Sequence, residues 1–129
     1  MAPRPLIELI LARQLASYLA LPIFIVDVQG NLVFYNEPAE VILGRRFGET
    51  GEIAVAELAS LFETTADDGT PLAHDDLPIT IALLKGRPAH RTFWMRGLDA
   101  QVRHIAVTAV PLITQTGRLL GAVAFFWER

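Results

Sequence analysis

The clearest pattern of apolar and polar positions lies in residues 22–44, PIFIVDVQGNLVFYNEPAEVILG. Residues 22–28 are apolar except for Asp27 and are rich in β-branched residues and Phe, which predicts a strand covered on both faces. The Gln-Gly-Asn triplet at residues 29–31 predicts a tight turn, because its glycine can adopt a positive φ angle. Residues 32–35 resume the strand pattern, so the stretch is expected to form a β-hairpin.

A helix is predicted directly after this hairpin. Asn36 can cap it, because its side-chain oxygen can accept a hydrogen bond from a free backbone N–H of the first turn. Pro38 falls in that first turn, where the missing N–H costs little. Gly44 follows the apolar triplet at residues 41–43 and is a typical C-terminal stop.

The segment before the hairpin predicts a helix over residues 5–20, with apolar residues at helical spacing and few polar ones. One interpretation is a helix packed on its own sheet. The other is a helix that also forms a dimer interface, because the apolar face is broader than one sheet face covers. The candidate interface residues are Leu6, Ile7, Ile10, Leu11, Leu15 and Tyr18.

The middle of the chain carries weaker signals. Residues 45–51 are expected to form a loop, and residues 53–62, IAVAELASLF, a short helix. Residues 64–75 are polar and contain Gly and Pro, which predicts an irregular connection.

A further helix and three strands are predicted in the last third of the chain. Asp76 is expected to cap a helix over residues 77–85. Three apolar segments, residues 88–97, 101–113 and 118–127, then predict consecutive strands joined by short turns.

This order of segments resembles the PAS domain family. GNLVFYNEPAE, after an apolar strand that ends in Asp27, resembles the first two strands and the first helix of PAS domains. DDGTPL leading into DLPITIALLKG resembles their later loop and helix, and GRLLGAVAFFWE resembles their final strand. The resemblance covers residues 20–128. It implies an α+β fold with a five-stranded antiparallel sheet in the order 2-1-5-4-3 and helices on one face. An N-terminal packing or dimerisation helix, residues 1–20, would lie on or beyond the other face of a PAS domain, residues 21–129.

Composition and charge narrow the possible partners. Hydrophobic residues make up 52% of the chain and the mean hydropathy is +0.37, which indicates a thick core or an apolar surface covered by another subunit. The net charge of −3 gives no general attraction to nucleic acid. No apolar run reaches the roughly 20 residues of a membrane span. We expect a soluble, cytoplasmic homodimer that acts on a downstream signalling protein, with no nucleic-acid or membrane partner.

The absence of cysteine excludes several kinds of chemistry. Disulfides, thiolate metal sites and cysteine nucleophiles are impossible. Covalent flavin photochemistry and chromophores tethered through cysteine, both known among PAS-type light sensors, are excluded for the same reason. Some PAS domains bind haem through a histidine near the helix before the third strand. His74 is the only candidate here, and a solvated loop histidine is the simpler interpretation. No other metal or cofactor is indicated.

PAS domains that bind a ligand hold it between the inner face of the sheet and the helices. Alternation along the strands assigns side chains to that face. With Tyr35 as a hydrogen-bonding group, the site would take an apolar ligand such as a fatty acid, another lipid or an aromatic metabolite. The alternative is a packed core with no ligand and a pure protein–protein interaction module. The candidate pocket residues are Phe24, Val26, Val33, Tyr35, Ile42, Ile81, Leu84, Ile105, Val107, Ala109, Val123 and Phe125.

Catalytic motifs are missing from the sequence. It contains no glycine-rich phosphate loop, no HExxH motif and no serine in a nucleophile-elbow setting. The expectation is a non-enzymatic PAS-type sensory or interaction module. The alternative from another class is a small α+β enzyme that uses His74, Asp75 and Asp76 as acid–base groups, which would require a cleft at that loop.

Overall fold

The structure is a computed structural model that describes residues 7–129. Its strands form one antiparallel sheet in the order β3-β2-β1-β6-β5-β4. The strands are β1 Ile23–Asp27, β2 Asn31–Tyr35, β3 Ile53–Ala54, β4 Ala89–Arg96, β5 Val102–Ile113 and β6 Leu119–Glu128. The helices are α1 Ile7–Tyr18, α2 Glu37–Leu43, α3 Phe47–Thr50, α4 Leu58–Leu61 and α5 Pro78–Lys85, with 3-10 turns at Val55–Glu57 and His74–Asp76.

The predicted architecture is confirmed. Strands β2, β1, β6, β5 and β4 are the five predicted strands, and they occur in the predicted order. The division into residues 1–20 and 21–129 stays a prediction.

The sixth strand, β3, corrects the prediction of one helix over residues 53–62. Ile53 and Ala54 pair with Leu32 and Asn31 at the edge of β2, and α4 begins only at Leu58. Helical periodicity was misleading here because the free edge of β2 supplies backbone hydrogen bonds that the local sequence does not reveal.

The caps of α2 follow the prediction. Oδ1 of Asn36 accepts a hydrogen bond from the N–H of Ala39 at 3.2 Å. Gly44 ends the helix with a φ angle of 84°, and its N–H donates to the carbonyl of Glu40. Local side-chain chemistry therefore fixes both ends of this helix.

Two local predictions were wrong. The expected loop at residues 45–51 contains the short helix α3. Asp76 does not cap α5, because Leu77 occupies the cap position with extended backbone and the helix begins at Pro78. The Asp76 carboxylate instead accepts a hydrogen bond from the N–H of Ala73 at 3.1 Å.

The sheet has apolar residues on both faces. Its inner face packs against α2, α4 and α5 and forms the main core cluster. On the outer face, Ile23, Ile25 and Val123 form a second cluster, and Leu9 and Ala12 of α1 pack against it.

Candidate functional site

A cavity of about 50 Å³ lies between the inner face of the sheet and the helices. Its lining side chains are apolar except for Thr64, whose hydroxyl donates to the carbonyl of Leu72 at 3.3 Å. The cavity therefore offers little to orient a polar ligand. An engineered apolar cavity of about 150 Å³ binds benzene, so this smaller one admits only a few heavy atoms. The lining residues are Phe24, Leu32, Leu43, Leu58, Phe62, Thr64, Leu77, Pro78, Ile79, Phe93, Met95, Ile105, Val107 and Phe126.

The structure brings seven of the twelve candidate pocket residues into the inner cluster. Phe24, Ile105 and Val107 line the cavity itself. The other four pack in the same cluster away from the cavity lining: Val26, Tyr35, Ile42 and Ala109. Their positions agree with strand alternation, and a ligand-binding role stays a prediction for all seven.

Val33 was placed on the wrong face because β2 contains a bulge. Ile25 pairs with Phe34, whereas the next residue of β1, Val26, pairs with Leu32. Val33 is the extra residue, so strict alternation from Tyr35 fails at this point. Leu32 faces the inner cluster, and Val33 packs with the outer one.

Val123 and Phe125 were also placed on the wrong face. They pair with Ile25 and Ile23 of β1 and belong to the outer cluster. The inner positions of β6 are instead Ala122, Ala124 and Phe126. Both alternating sets of β6 are apolar, so the sequence of this strand does not show which set faces inward.

Helix α5 is rotated relative to the predicted orientation. It buries Ile79, Ala82 and Leu83. Leu84 is 70% exposed and cannot line a pocket. Ile81 is only partly buried and lies outside the inner cluster. Because nearly every position of this helix is apolar, its sequence does not define a single buried face.

Sequence reasoning missed several lining residues from the middle of the chain. Phe93 and Met95 alternate in β4 with Thr92, Trp94 and Arg96. The period-2 signal is weak because Trp94 is also apolar, although the polar residues on either side, Thr92 and Arg96, share its face. Phe62 belongs to an irregular segment, and no local pattern indicates its position.

Tyr35 does not present its hydroxyl to the cavity. The hydroxyl donates to the carbonyl of Arg45 at 2.8 Å and lies 3.0 Å from Oγ1 of Thr50. The Tyr35 ring contacts the Phe47 ring edge-on, with 5.3 Å between the ring centroids. Burial raises the pKa of Tyr35, which keeps the hydroxyl neutral. This group therefore fastens the α2–α3 connection to the sheet.

His74 is poorly placed to ligate a haem. It lies in the 3-10 turn before α5 and outside the cavity lining, with Nδ1 3.3 Å from Oγ1 of Thr80. A cavity of about 50 Å³ is also far too small for a porphyrin, so these residues do not fit a haem. His74, Asp75 and Asp76 line neither the cavity nor the open surface depression near Arg45.

The candidate dimer residues of α1 are largely exposed. Leu15 is 62% exposed and Tyr18 86%, and Ile10 and Leu11 are exposed beside them. We call these four side chains the α1 ridge. Leu6 and the side chain of Ile7 lie outside the described part of the chain.

Across residues 7–129, no group of three or more His, Asp or Glu side chains is arranged to hold a metal ion. No helix in that range is long and apolar enough to cross a membrane.

Comparison with known proteins gives matches only among solved structures. No protein-family model and no curated protein matches the sequence. The PAS domain of nitrogen regulation protein NR(II) from Vibrio parahaemolyticus is similar, with a TM-score of 0.63 and 16% identity over 92% of this chain and 98% of that chain. A PAS domain from Colwellia psychrerythraea has a TM-score of 0.65 and is 15% identical, over 95% of this chain and 97% of that chain.

A light-oxygen-voltage protein from Rhodobacter sphaeroides is also similar in fold. Its TM-score is 0.69 and its identity 15%, over 90% of this chain and 64% of that chain. At such identities the likeness is one of fold, and function has to be argued from the residues of this chain.

Proposed function

This chain has the fold of PAS domains, and we propose that it is a non-enzymatic PAS-type sensory module that acts through protein–protein contacts and dimerises through α1. The α1 ridge carries this proposal. Helix α1 has 12 residues. Among its described side chains, the partly buried Leu9 and Ala12 pack on the sheet, and the Arg13 guanidinium lies over the Phe34 ring of β2 at 4.7 Å from its centroid. Isolated helices of about 12–15 residues are marginal in water. A protein surface packed against the ridge would supply the missing apolar burial.

A second copy of the chain is the partner that fits best. Leu19 and Leu21, which follow the α1 ridge along the chain, are also exposed. Six large apolar side chains between residues 10 and 21 are therefore available to an interface, which in its standard size takes roughly 800 Å² from each partner. Two-fold homodimers are the commonest oligomers, and their symmetry uses the same patch on both subunits.

Light scattering after size exclusion tests the dimer, with Leu15→Asp as the disruptive variant and Leu84→Asp as its control. Leu84 is 70% exposed on α5, so the same substitution there adds the same charge at similar exposure. We expect twice the 14.2 kDa chain mass for the wild type and Leu84→Asp, and the monomer mass for Leu15→Asp. A monomeric wild type, or equal masses for the two variants, would exclude the α1 interface.

A small apolar ligand in the inner cavity is a second candidate function, favoured by the apolar lining. A fatty acid or an aromatic metabolite would require the cavity to widen. The competing possibility is a packed core with no ligand. In either case a change of packing would pass from the sheet to α1 and then to a downstream protein, as a shift between two populated conformations.

Native mass spectrometry and xenon binding separate these possibilities. A discrete extra mass released on denaturation would support a resident ligand. Xenon-dependent NMR shifts of the Met95 and Ile105 methyl groups would support a site open to small apolar molecules, because both side chains line the cavity. If neither signal is observed, the packed interaction module with no ligand is the remaining interpretation.

A further inference from the structure

Residues 62–67, which we call the strap, run along the free edge of β4. The N–H of Thr65 donates to the carbonyl of Trp94, and the N–H of Trp94 donates to the carbonyl of Thr65, both at 2.8 Å. The N–H of Arg96 donates to the carbonyl of Phe62 at 2.8 Å. The strap therefore extends the sheet by a short edge segment.

Side chains of the strap alternate between two sides, as in a strand. Phe62, Thr64 and Ala66 are buried, and the first two line the inner cavity. Asp67 is exposed at the end of the strap. One short segment thus connects a wall of the cavity with a carboxylate at the sheet's outer face.

The outer face of the sheet holds this carboxylate with two side chains. Oγ1 of Thr92 donates to Oδ2 of Asp67 at 2.7 Å, and Nε2 of His104 lies 2.8 Å from Oδ1. The His104 ring stacks on the Trp94 ring, with 4.6 Å between centroids and 27° between planes. Hydrogen bonds from Thr92 and His104 lower the pKa of Asp67, so the carboxylate is charged across the neutral range.

Protonation of His104 would strengthen two contacts at once. An imidazolium makes a charge-assisted hydrogen bond to a carboxylate, which is shorter and stronger than a neutral one. It also gains a cation–π contact with the indole on which it stacks. Histidine is the side chain whose charge ordinarily changes between pH 5 and 8.

Other charged groups near this contact come from the strap and the sheet. Arg96 of β4 pairs with Glu63 of the strap at 2.9 Å. Arg129, after β6, donates its backbone N–H to the carbonyl of His104 at 2.8 Å, and its charge also acts on Asp67. Neither arginine changes charge in this pH range.

We propose that the strap is the entrance to the inner cavity and that protonation of His104 fastens it shut through Asp67, so that the domain responds to pH. This proposal rests on the proposed ligand site, since the pH response would regulate access to that cavity. Closure itself is a property of the ligand-free chain. An empty cavity would therefore leave the test below unaffected, and the two proposals can fail separately.

Amide hydrogen exchange of the ligand-free protein tests the closure. After correction for the intrinsic exchange rate, protection of the Thr65 and Trp94 amides in the wild type should be about two- to fivefold higher at pH 5.5 than at pH 7.5. This increase corresponds to the stabilisation that an exposed ion pair usually gives. His104→Gln keeps a neutral N–H donor but cannot take up a proton, and its protection should not change with pH. His90→Gln is the control, because His90 bonds Thr108 at 2.7 Å on the same face and should keep the wild-type response.

A second variant tests the other partner of the contact. In Asp67→Asn the side chain can still bond Thr92 and His104 but carries no charge, so protection of the Thr65 and Trp94 amides should lose most of its rise between pH 7.5 and 5.5. Unchanged protection in the wild type, or a wild-type response in either His104→Gln or Asp67→Asn, would overturn the proposal.

Discussion

Asn36 and Ile23 are joined by two hydrogen bonds that tie the start of α2 to the start of β1. The N–H of Asn36 donates to the carbonyl of Ile23 at 3.1 Å, and the N–H of Ile23 donates to Oδ1 of Asn36 at 3.0 Å. The same oxygen caps α2, and Nδ2 donates to the carbonyl of Leu21 at 2.9 Å. One buried side chain thus fixes a helix, a central strand and the segment that leads in from α1.

Replacing Asn36 should therefore destabilise the whole domain. Asn36→Ala removes a helix cap and leaves buried backbone groups without a partner, for a loss of about 2–4 kcal/mol in the free energy of unfolding. Asn36→Asp keeps the accepting oxygen but buries a carboxylate whose second oxygen faces the Leu21 carbonyl, so it should be destabilised as well. Urea denaturation measures both variants, and a loss under about 1 kcal/mol for Asn36→Ala would contradict this role.

Gly121 should tolerate no side chain. Its φ angle is 153°, and a Cβ at this position would lie 2.2 Å from the carbonyl oxygen of Val26. Gly121→Ala would push the central strands β1 and β6 apart, at a cost of about 1–3 kcal/mol or more. Gly48→Ala in α3 is the control, because no atom lies within 4 Å of its Cβ and alanine favours a helix. Equal stability of the two variants in thermal denaturation would refute the close approach of the strands.

An added methyl group should distinguish the cavity from the rest of the core. Val107 lines the cavity, whereas Val110 of the same strand packs on the outer face. Val107→Ile should stabilise the fold by up to about 0.8 kcal/mol, the value of one buried methylene. Val110→Ile should change it by less than about 0.5 kcal/mol. A destabilisation of Val107→Ile above about 1 kcal/mol in urea denaturation would mean that the space is already filled.

The Asp99–Arg103 pair should contribute to stability above the acid range. The Arg103 guanidinium, followed by the N–H of Gln101, lowers the pKa of Asp99, and Arg103 also donates to the carbonyl of Ile42 at 3.1 Å. Because the folded-state pKa lies below the unfolded value of about 3.9, the stabilisation is present above that pH and is lost as the pH falls through the folded value.

Thermal unfolding between pH 2.5 and 6 measures this contribution. The decrease in Tm on acidification should be shallower for Asp99→Asn than for the wild type, because the variant has no carboxylate there to protonate. Glu52→Gln removes an exposed carboxylate elsewhere and is the charge-matched control. If Asp99→Asn retained the full acid dependence, the ion pair would have no measurable role.

Prediction from sequence succeeded where the deciding interactions are local. The turn before β2 and the caps of α2 depend on residues a few positions apart. Asn36 and Gly44 therefore predict the two ends of α2 directly. The strand order followed from the resemblance of the whole chain to a known fold. The dimer, the ligand and the partner depend on other molecules and remain proposals.

The errors occurred where the deciding interaction comes from a distant part of the chain. Val33 left its expected face because of a bulge that depends on the pairing of β2 with β1. Val123 and Leu84 belong to segments in which nearly every side chain is apolar, so only the surrounding structure selects the buried set. The short strand β3 forms because it pairs with the edge of β2 that β1 leaves open.

The apolar inner cluster also bears on how far sequences with this fold can diverge. Its side chains contribute volume and little hydrogen bonding, and cores of this kind accept many hydrophobic exchanges if the total volume is kept. Residues such as Leu58 and Met95 can be replaced by other hydrophobic residues without a change of architecture, if a second substitution compensates for the change in volume. That freedom gives a physical reason why domains only 15–16% identical to this chain share its fold.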